Sequence, residues 1–204
     1  MDAKNKKNQN PIKTIIVMAF LALMVLGYFY VINNRIKTVE EDVHTITPVQ
    51  ELLIRNLDKD YPNTPKEVVK LYSEITRVFY KEDFTEEELE KLAVMSRKLF
   101  DDELVANQSD ESYLRALKQE IVSYRQEGKY ISSYSISASA DVEYYDFRND
   151  KWAQLIAMYS MRQGGKIVPT KERFLLRKDA NDHWKIFGFK LESIGEDNQG
   201  ANNE

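Results

Sequence analysis

The chain has 204 residues, 43% of them hydrophobic and 30% charged, a balance that excludes collagen-like, low-complexity and wholly disordered classes. With no cysteine and only two histidines, His44 and His183, disulfide frameworks and thiol chemistry are excluded, and histidine-based metal sites or Ser-His-Asp triads have almost no raw material. The net charge of −4 is uneven: residues 1–37 carry six basic residues against Asp2 alone, whereas residues 38–204 carry 23 basic and 32 acidic ones. An acidic body without a dense basic stripe argues against nucleic acid as a partner.

Thr14 to Ile32, TIIVMAFLALMVLGYFYVI, contains no charge. As a helix, nineteen residues would reach about 29 Å, close to the hydrocarbon thickness of a bilayer. Lys4, Lys6, Lys7 and Lys13 precede this stretch and Arg35 and Lys37 follow it, which predicts a cytoplasmic N-terminus and an extracytoplasmic remainder. The segment Tyr28 to Asn34 offers no small-x-small cleavage site, so an uncleaved signal anchor is expected rather than a signal peptide.

Beyond it, Ile32, Ile36, Val39, Val43 and Ile46 form a seam of about two heptads, short of a coiled coil. Thr47-Pro48-Val49-Gln50 reads as a capping box opening a short helix through Leu57, and Asp58 to Asn63 as a turn-rich boundary. Thr64-Pro65-Lys66-Glu67 is a second capping box, ahead of Val68, Leu71, Tyr72, Ile75, Val78 and Phe79 at helical spacing. Thr85 and Glu88 open another helix through Leu92, Met95 and Leu99, stapled by Phe84 and Leu89. Ser109 caps a third carrying Tyr113, Leu114, Leu117, Ile121, Val122 and Tyr124, ended by Gly128.

From Lys129 the apolar period changes to two. Tyr130, Tyr134, Ile136, Ala138, Ala140, Val142 and Tyr144 share one parity, and Ser133, Ser135, Ser137, Ser139, Asp141 and Glu143 the other, predicting one long half-buried strand. Trp152 to Arg162, Thr170 to Arg177 and His183 to Leu191 follow as strands, joined at Gly164-Gly165 and at Asp179 to Asp182. The expected fold class is α+β: an N-terminal transmembrane helix, then three helices packed on a four-stranded antiparallel, curved, cone-like sheet. The expected organisation is a basic cytoplasmic tail (1–13), the membrane span (14–32), a stalk (33–63), the folded domain (64–193) and a disordered tail (194–204).

The closing hairpin, Glu172-Arg173-Phe174-Leu175-Leu176-Arg177-Lys178 with His183-Trp184-Lys185-Ile186-Phe187-Gly188-Phe189, together with the element order over residues 64–192, resembles the nuclear transport factor 2-like superfamily. That resemblance implies a cone-shaped fold and leaves function open, because the superfamily holds isomerase-like and cyclase-like enzymes, scaffold subunits and membrane-anchored assembly modules. The layout also looks like uncharacterised single-pass bacterial envelope proteins and inner-membrane components of type IV secretion systems.

Relatives of the ketosteroid isomerase kind imply a carboxylate inside the cone beside a tyrosine. Asp141 and Glu143 share the solvent parity, which leaves Glu172, alternating with Phe174 and Leu176, as the acid able to point inward. His183 falls at a turn without a recognisable partner, and no catalytic residue, metal ligand or cofactor is assigned. Tyr130, Tyr134, Tyr144, Trp152, Tyr159 and Trp184, with Glu172, are the candidate ligand- or partner-binding residues, since aromatics anchor interfaces. The expected function is a membrane-anchored, extracytoplasmic, non-catalytic module that docks a protein partner or associates with itself; the alternative is a small-ligand-binding protein or enzyme using the cone pocket. An inward carboxylate beside a tyrosine hydroxyl in a pocket favours the alternative, and an exposed apolar patch favours docking.

Overall fold

The computed structural model describes residues 46–194. The expected cytoplasmic tail, membrane span, most of the stalk seam and residues 195–204 of the expected tail lie outside the described residues.

Five α-helices and five strands form the described fold: α1 (Pro48–Leu53), α2 (Pro65–Lys81), α3 (Glu86–Lys98), α4 (Asp102–Ala106), α5 (Asp110–Gln126), β1 (Lys129–Ile136), β2 (Glu143–Phe147), β3 (Asp150–Gln163), β4 (Lys166–Lys178) and β5 (Trp184–Glu192). This corrects the expected fold class, in which three helices cover four strands behind a transmembrane helix. Among the described residues no helix is long and apolar enough to cross a membrane. The extra helices are α1, counted with the stalk, and α4, a five-residue turn too short to show periodicity. Residues 48–57, expected within the stalk, place Val49, Leu52 and Leu57 in the core.

The helix starts follow from their caps. Thr47, Thr64 and Thr85 each accept from the backbone N–H three residues on, and Gln50, Glu67 and Glu88 reach back to the cap N–H, satisfying donors that a helix start leaves unpaired. Helix α2 buries Val68, Leu71, Ile75, Val78 and Phe79, and α3 buries Leu89, Leu92 and Met95. Val122, read as apolar face, is exposed; α5 turns Leu117 and Ile121 inward instead.

The sheet is antiparallel throughout, in the order β1-β3-β4-β5, with β2 also pairing β3. The predicted long strand is thus two, because β1 pairs the far half of β3 and β2 the near half. Ser137 makes the break: its Oγ donates to the Ile156 carbonyl at 3.0 Å and accepts from the Ile156 N–H at 3.1 Å. A serine hydroxyl can stand in for a ladder partner in this way. The chain then turns through a short 3-10 segment at Ser139–Asp141 before β2.

A register shift between Ile131 and Ser133 supplies a second departure from strict alternation. Tyr134, opposite Tyr159, faces the helices; Tyr130, opposite Arg162, falls on the other face, although the two share a parity. Gly164 and Gly165, at φ +52° and +83°, make the predicted hairpin, a left-handed geometry glycine adopts without cost.

The core lies between the sheet and the helices and contains Ala153, Leu155, Ala157, Tyr159, Phe174, Leu176 and Ile186 from the strands. The end of α3 is stitched to β5: Asp101 N–H donates to the Ile186 carbonyl at 2.9 Å and Ile186 N–H to the Leu99 carbonyl at 2.8 Å. Asp101, 2% exposed, accepts from Arg177 Nη2 at 2.7 Å and Nε at 3.0 Å, and its side chain caps α4 through the Glu103 N–H.

Candidate functional site

A cleft of about 300 Å³ opens between α2, α3, α5 and the end of β5, at the small end of ligand-pocket sizes. Its walls are aromatic. Tyr72 packs against Phe100, Phe174 and Phe189 with ring centroids 5.7 Å apart in each case, and Phe100 meets Tyr113 edge-on at 6.2 Å. Phe189 is on the helix-facing side of β5, opposite Phe174, yet 46% exposed. It and its neighbour on that side, Leu191 at 69%, are large apolar groups left partly open to solvent.

The polar content of the cleft gathers at two places. Tyr80 O–H donates to Glu120 Oε1 at 2.8 Å, and the Tyr80 ring stacks on Tyr124 at 4.3 Å. Burial, then the neighbouring Glu120 charge, pushes the Tyr80 hydroxyl well above the ordinary tyrosine range. Elsewhere in the lining, Arg97 pairs with Asp110 at 2.6 Å, donates to the Val105 and Gln108 carbonyls, and lies over the Tyr113 ring. Its charge is paired with Asp110, but the buried Nε makes no hydrogen bond. Tyr113 O–H and Ser96 Oγ are 3.2 Å apart beside it.

Glu172 faces the helix side of the sheet, as its alternation with Phe174 and Leu176 predicts. It sits opposite Ala157 on β3 and Leu191 on β5. Burial, assisted by the Glu120 charge, raises its carboxyl to about 7. Its charge is also felt by Tyr72, Tyr124 and Tyr159, each of whose hydroxyls burial pushes upward. Glu120, exposed, lines the cleft, while Glu172 is not one of its lining residues and feels the Glu120 charge from the sheet; no ion pair to either occurs among the described residues.

The other sequence-derived candidates do not converge on this cleft. Tyr159 is core: its O–H donates to Ser73 Oγ at 2.8 Å, because the Ser73 hydroxyl hydrogen is given to the Val69 carbonyl. Tyr134 donates to Glu74 Oε1 at 3.2 Å, and burial with the Glu74 charge pushes it up to about 12. Trp184 is a core residue beneath Lys178 and Tyr144. Trp152, adjacent in the strand to core Ala153, faces the opposite side of the sheet, where its indole donates to the Phe147 carbonyl at 3.1 Å. Tyr130 shares that opposite face, and Tyr144 is exposed on the edge strand β2. His183 stacks on Tyr61 at 4.3 Å, with Asp179 bonding its backbone N–H.

Sequence reasoning missed Glu120, Tyr72 and Tyr80 as site residues. A signal was present for Glu120: with Tyr113, Leu117 and Tyr124 it falls at heptad spacing on the apolar stripe of α5, where an acid is out of place.

Residues 1–189 match the family described as "Domain of unknown function (DUF6715)". The chain belongs to that family. For this DUF6715 protein no curated protein matches. Among solved structures it is similar to the solution structure of a de novo designed β-sheet protein. The two are 14% identical with a TM-score of 0.34, over 68% of this chain and 96% of the design.

Proposed function

We propose that this protein is a small-ligand-binding module of the cell envelope, with its ligand seated in the cleft between α2, α3, α5 and β5. The observation that carries this reading is the placing of Glu120 against the Tyr80 hydroxyl at 2.8 Å on an aromatic-walled cleft. A packed core would fill such a space, whereas here the Glu120 carboxylate stays open to solvent and reachable at its rim. The resemblance of the closing hairpin to nuclear transport factor 2-like domains supports the helix-covered face of the sheet as the place for a pocket. The localisation rests on sequence: the uncharged stretch 14–32 supports association with a lipid bilayer, and the lysines before it support a body outside the cytoplasm.

The test is a titration of the full chain with a small-molecule fragment set, followed through tyrosine ring resonances. The reading requires fragments that shift Tyr72, Tyr80 and Tyr113 together and lose the effect in Ala116→Trp, which fills the cleft mouth. Fragments that act only on tyrosines outside the cleft would refute it.

Protein docking is a second reading, favoured by β2, an edge strand whose five residues are all exposed, Tyr144, Tyr145 and Phe147 among them. An exposed aromatic edge is a template for an added strand. Crosslinking in intact membranes that captures a protein partner, and fails for Tyr145→Lys, would favour docking.

A further inference from the structure

We propose that the cleft takes a small aromatic monocarboxylate of about the size of benzoate, with its carboxylate on the Arg97 guanidinium and its ring against Tyr72, Phe100 and Phe189. The proposal rests on the ligand-binding reading and names the ligand class for that same site.

The charge held inside the cleft wall points to an anion. The lining contributes two charged side chains, Arg97 and Glu120. Glu120 is exposed, so water solvates it with or without a ligand. The Arg97 side chain is only 11% exposed. Its Nη2 donates to the Gln108 and Val105 carbonyls at 2.8 and 3.2 Å, which fixes the plane of the guanidinium. The donors on Nε and Nη1 are left over. Asp110 Oδ1 comes within 2.6 Å of Nε, within ion-pair reach, yet the buried Nε–H is not aimed at it and makes no hydrogen bond. Nη1 is not shut away from solvent, and among the described residues it makes no hydrogen bond either. A donor left without an acceptor in such a wall costs free energy that an incoming carboxylate returns.

Asp110 is a weak competitor for this charge. It stands 88% exposed in the first turn of α5 and is not part of the cleft lining, and an exposed acid holds an ion pair loosely. Nη1 is open to a carboxylate as it stands, and Nε becomes open when Asp110 swings aside. Beside the guanidinium, the Tyr113 and Ser96 hydroxyls lie 3.2 Å apart. They carry two hydrogens and share one hydrogen bond, which leaves one hydrogen to donate to the second carboxylate oxygen.

The apolar walls select the rest of the molecule. The Tyr72 ring meets Phe100 and Phe189 at 5.7 Å in tilted contacts, and Phe189 keeps 46% of its surface open. A further ring entering there covers Phe189 in the offset and edge-on contacts that aromatic groups prefer. The volume of about 300 Å³ limits the ligand to a single ring with its acid group. A neutral aromatic molecule would satisfy the rings and leave the arginine donors unmet, and an ammonium would be repelled by Arg97.

Isothermal titration of the full chain, held in a non-ionic maltoside, tests this with benzoate and its uncharged isostere benzamide. The expected result is benzoate binding at least about tenfold tighter than benzamide. Arg97→Gln should weaken benzoate about tenfold and leave benzamide unchanged. Because Arg97 also ties down two loop carbonyls, a second variant guards against loss of fold. Asp110→Asn removes the competing acid from an exposed position and should tighten benzoate about threefold without altering benzamide, a gain that no structural damage would mimic. Equal binding of the two probes, or benzoate affinity that Asp110→Asn leaves unchanged or lowers, overturns the carboxylate while leaving the cleft a ligand site. Failure of benzoate to bind also overturns it, and the fragment titration then decides separately whether the cleft binds anything.

Discussion

Glu172→Gln should stabilise the domain at alkaline pH and leave it almost unchanged at acid pH. Glu172 is carried on a central strand, and folding raises its carboxyl from the ordinary 4.5 to about 7. A carboxyl raised in the folded state holds more protons there than in the unfolded chain between those two values. Stability is therefore fully present below about pH 4.5 and is lost as pH rises through about 7. A shift of about 2.5 units corresponds to about 3.4 kcal/mol at most. Because Glu172 is only partly buried, solvent screening brings this to about 2 kcal/mol. Glutamine mimics the protonated acid and has nothing to lose. Trp152 and Trp184, the chain's two tryptophans, are both buried and report unfolding by fluorescence. With a urea slope of about 2 kcal/mol/M, the variant's midpoint should exceed wild type by about 1 M at about pH 8 and coincide with it at about pH 4. Equal midpoints at both pH values, or a variant weaker at about pH 8, would refute the placement of Glu172 in a desolvated, acid-repelled position.

Three further outcomes follow from the packing. Asp101→Ala strands the Arg177 guanidinium and uncaps α4, and should cost about 3 kcal/mol in urea unfolding; Asp101→Asn, which can still cap, should cost less. Ser137→Ala removes the hydroxyl that pairs both backbone groups of Ile156. It should lower stability by about 1 kcal/mol and speed hydrogen exchange at the Ile156 amide. Gly165→Ala has open space for the new methyl but a φ of +83°, so a cost of about 1 kcal/mol should appear as a lower thermal midpoint without a change in fold.

The parts of this fold that local chemistry controls were legible. Threonine capping boxes mark three helix starts because the cap and its partner are three residues apart in the chain, and the Gly-Gly hairpin marks itself through its positive φ values. Glu172 could be placed inward because β4 keeps strict alternation across Glu172, Phe174 and Leu176. Where a single residue departs from the repeat, that logic fails. Ser137 ends β1 while the polar–apolar alternation runs on, and the irregularity near Ile131 sends Tyr130 and Tyr134 to opposite faces. The cleft itself was hidden for a different reason: Tyr80 and Glu120 are 40 residues apart in the chain, and only the packing of α2 against α5 brings them together. The short α4 has too few residues to show any period, and its capping residue Asp101 is fixed by Arg177, far along the chain.

The central claim is that the cleft holds a small molecule. Mass spectrometry of what denaturation releases from the full chain, purified out of its own membranes, tests that claim most directly. A small compound released by wild type and missing from Ala116→Trp is the result predicted. The same compounds released from both proteins in equal amount would contradict it.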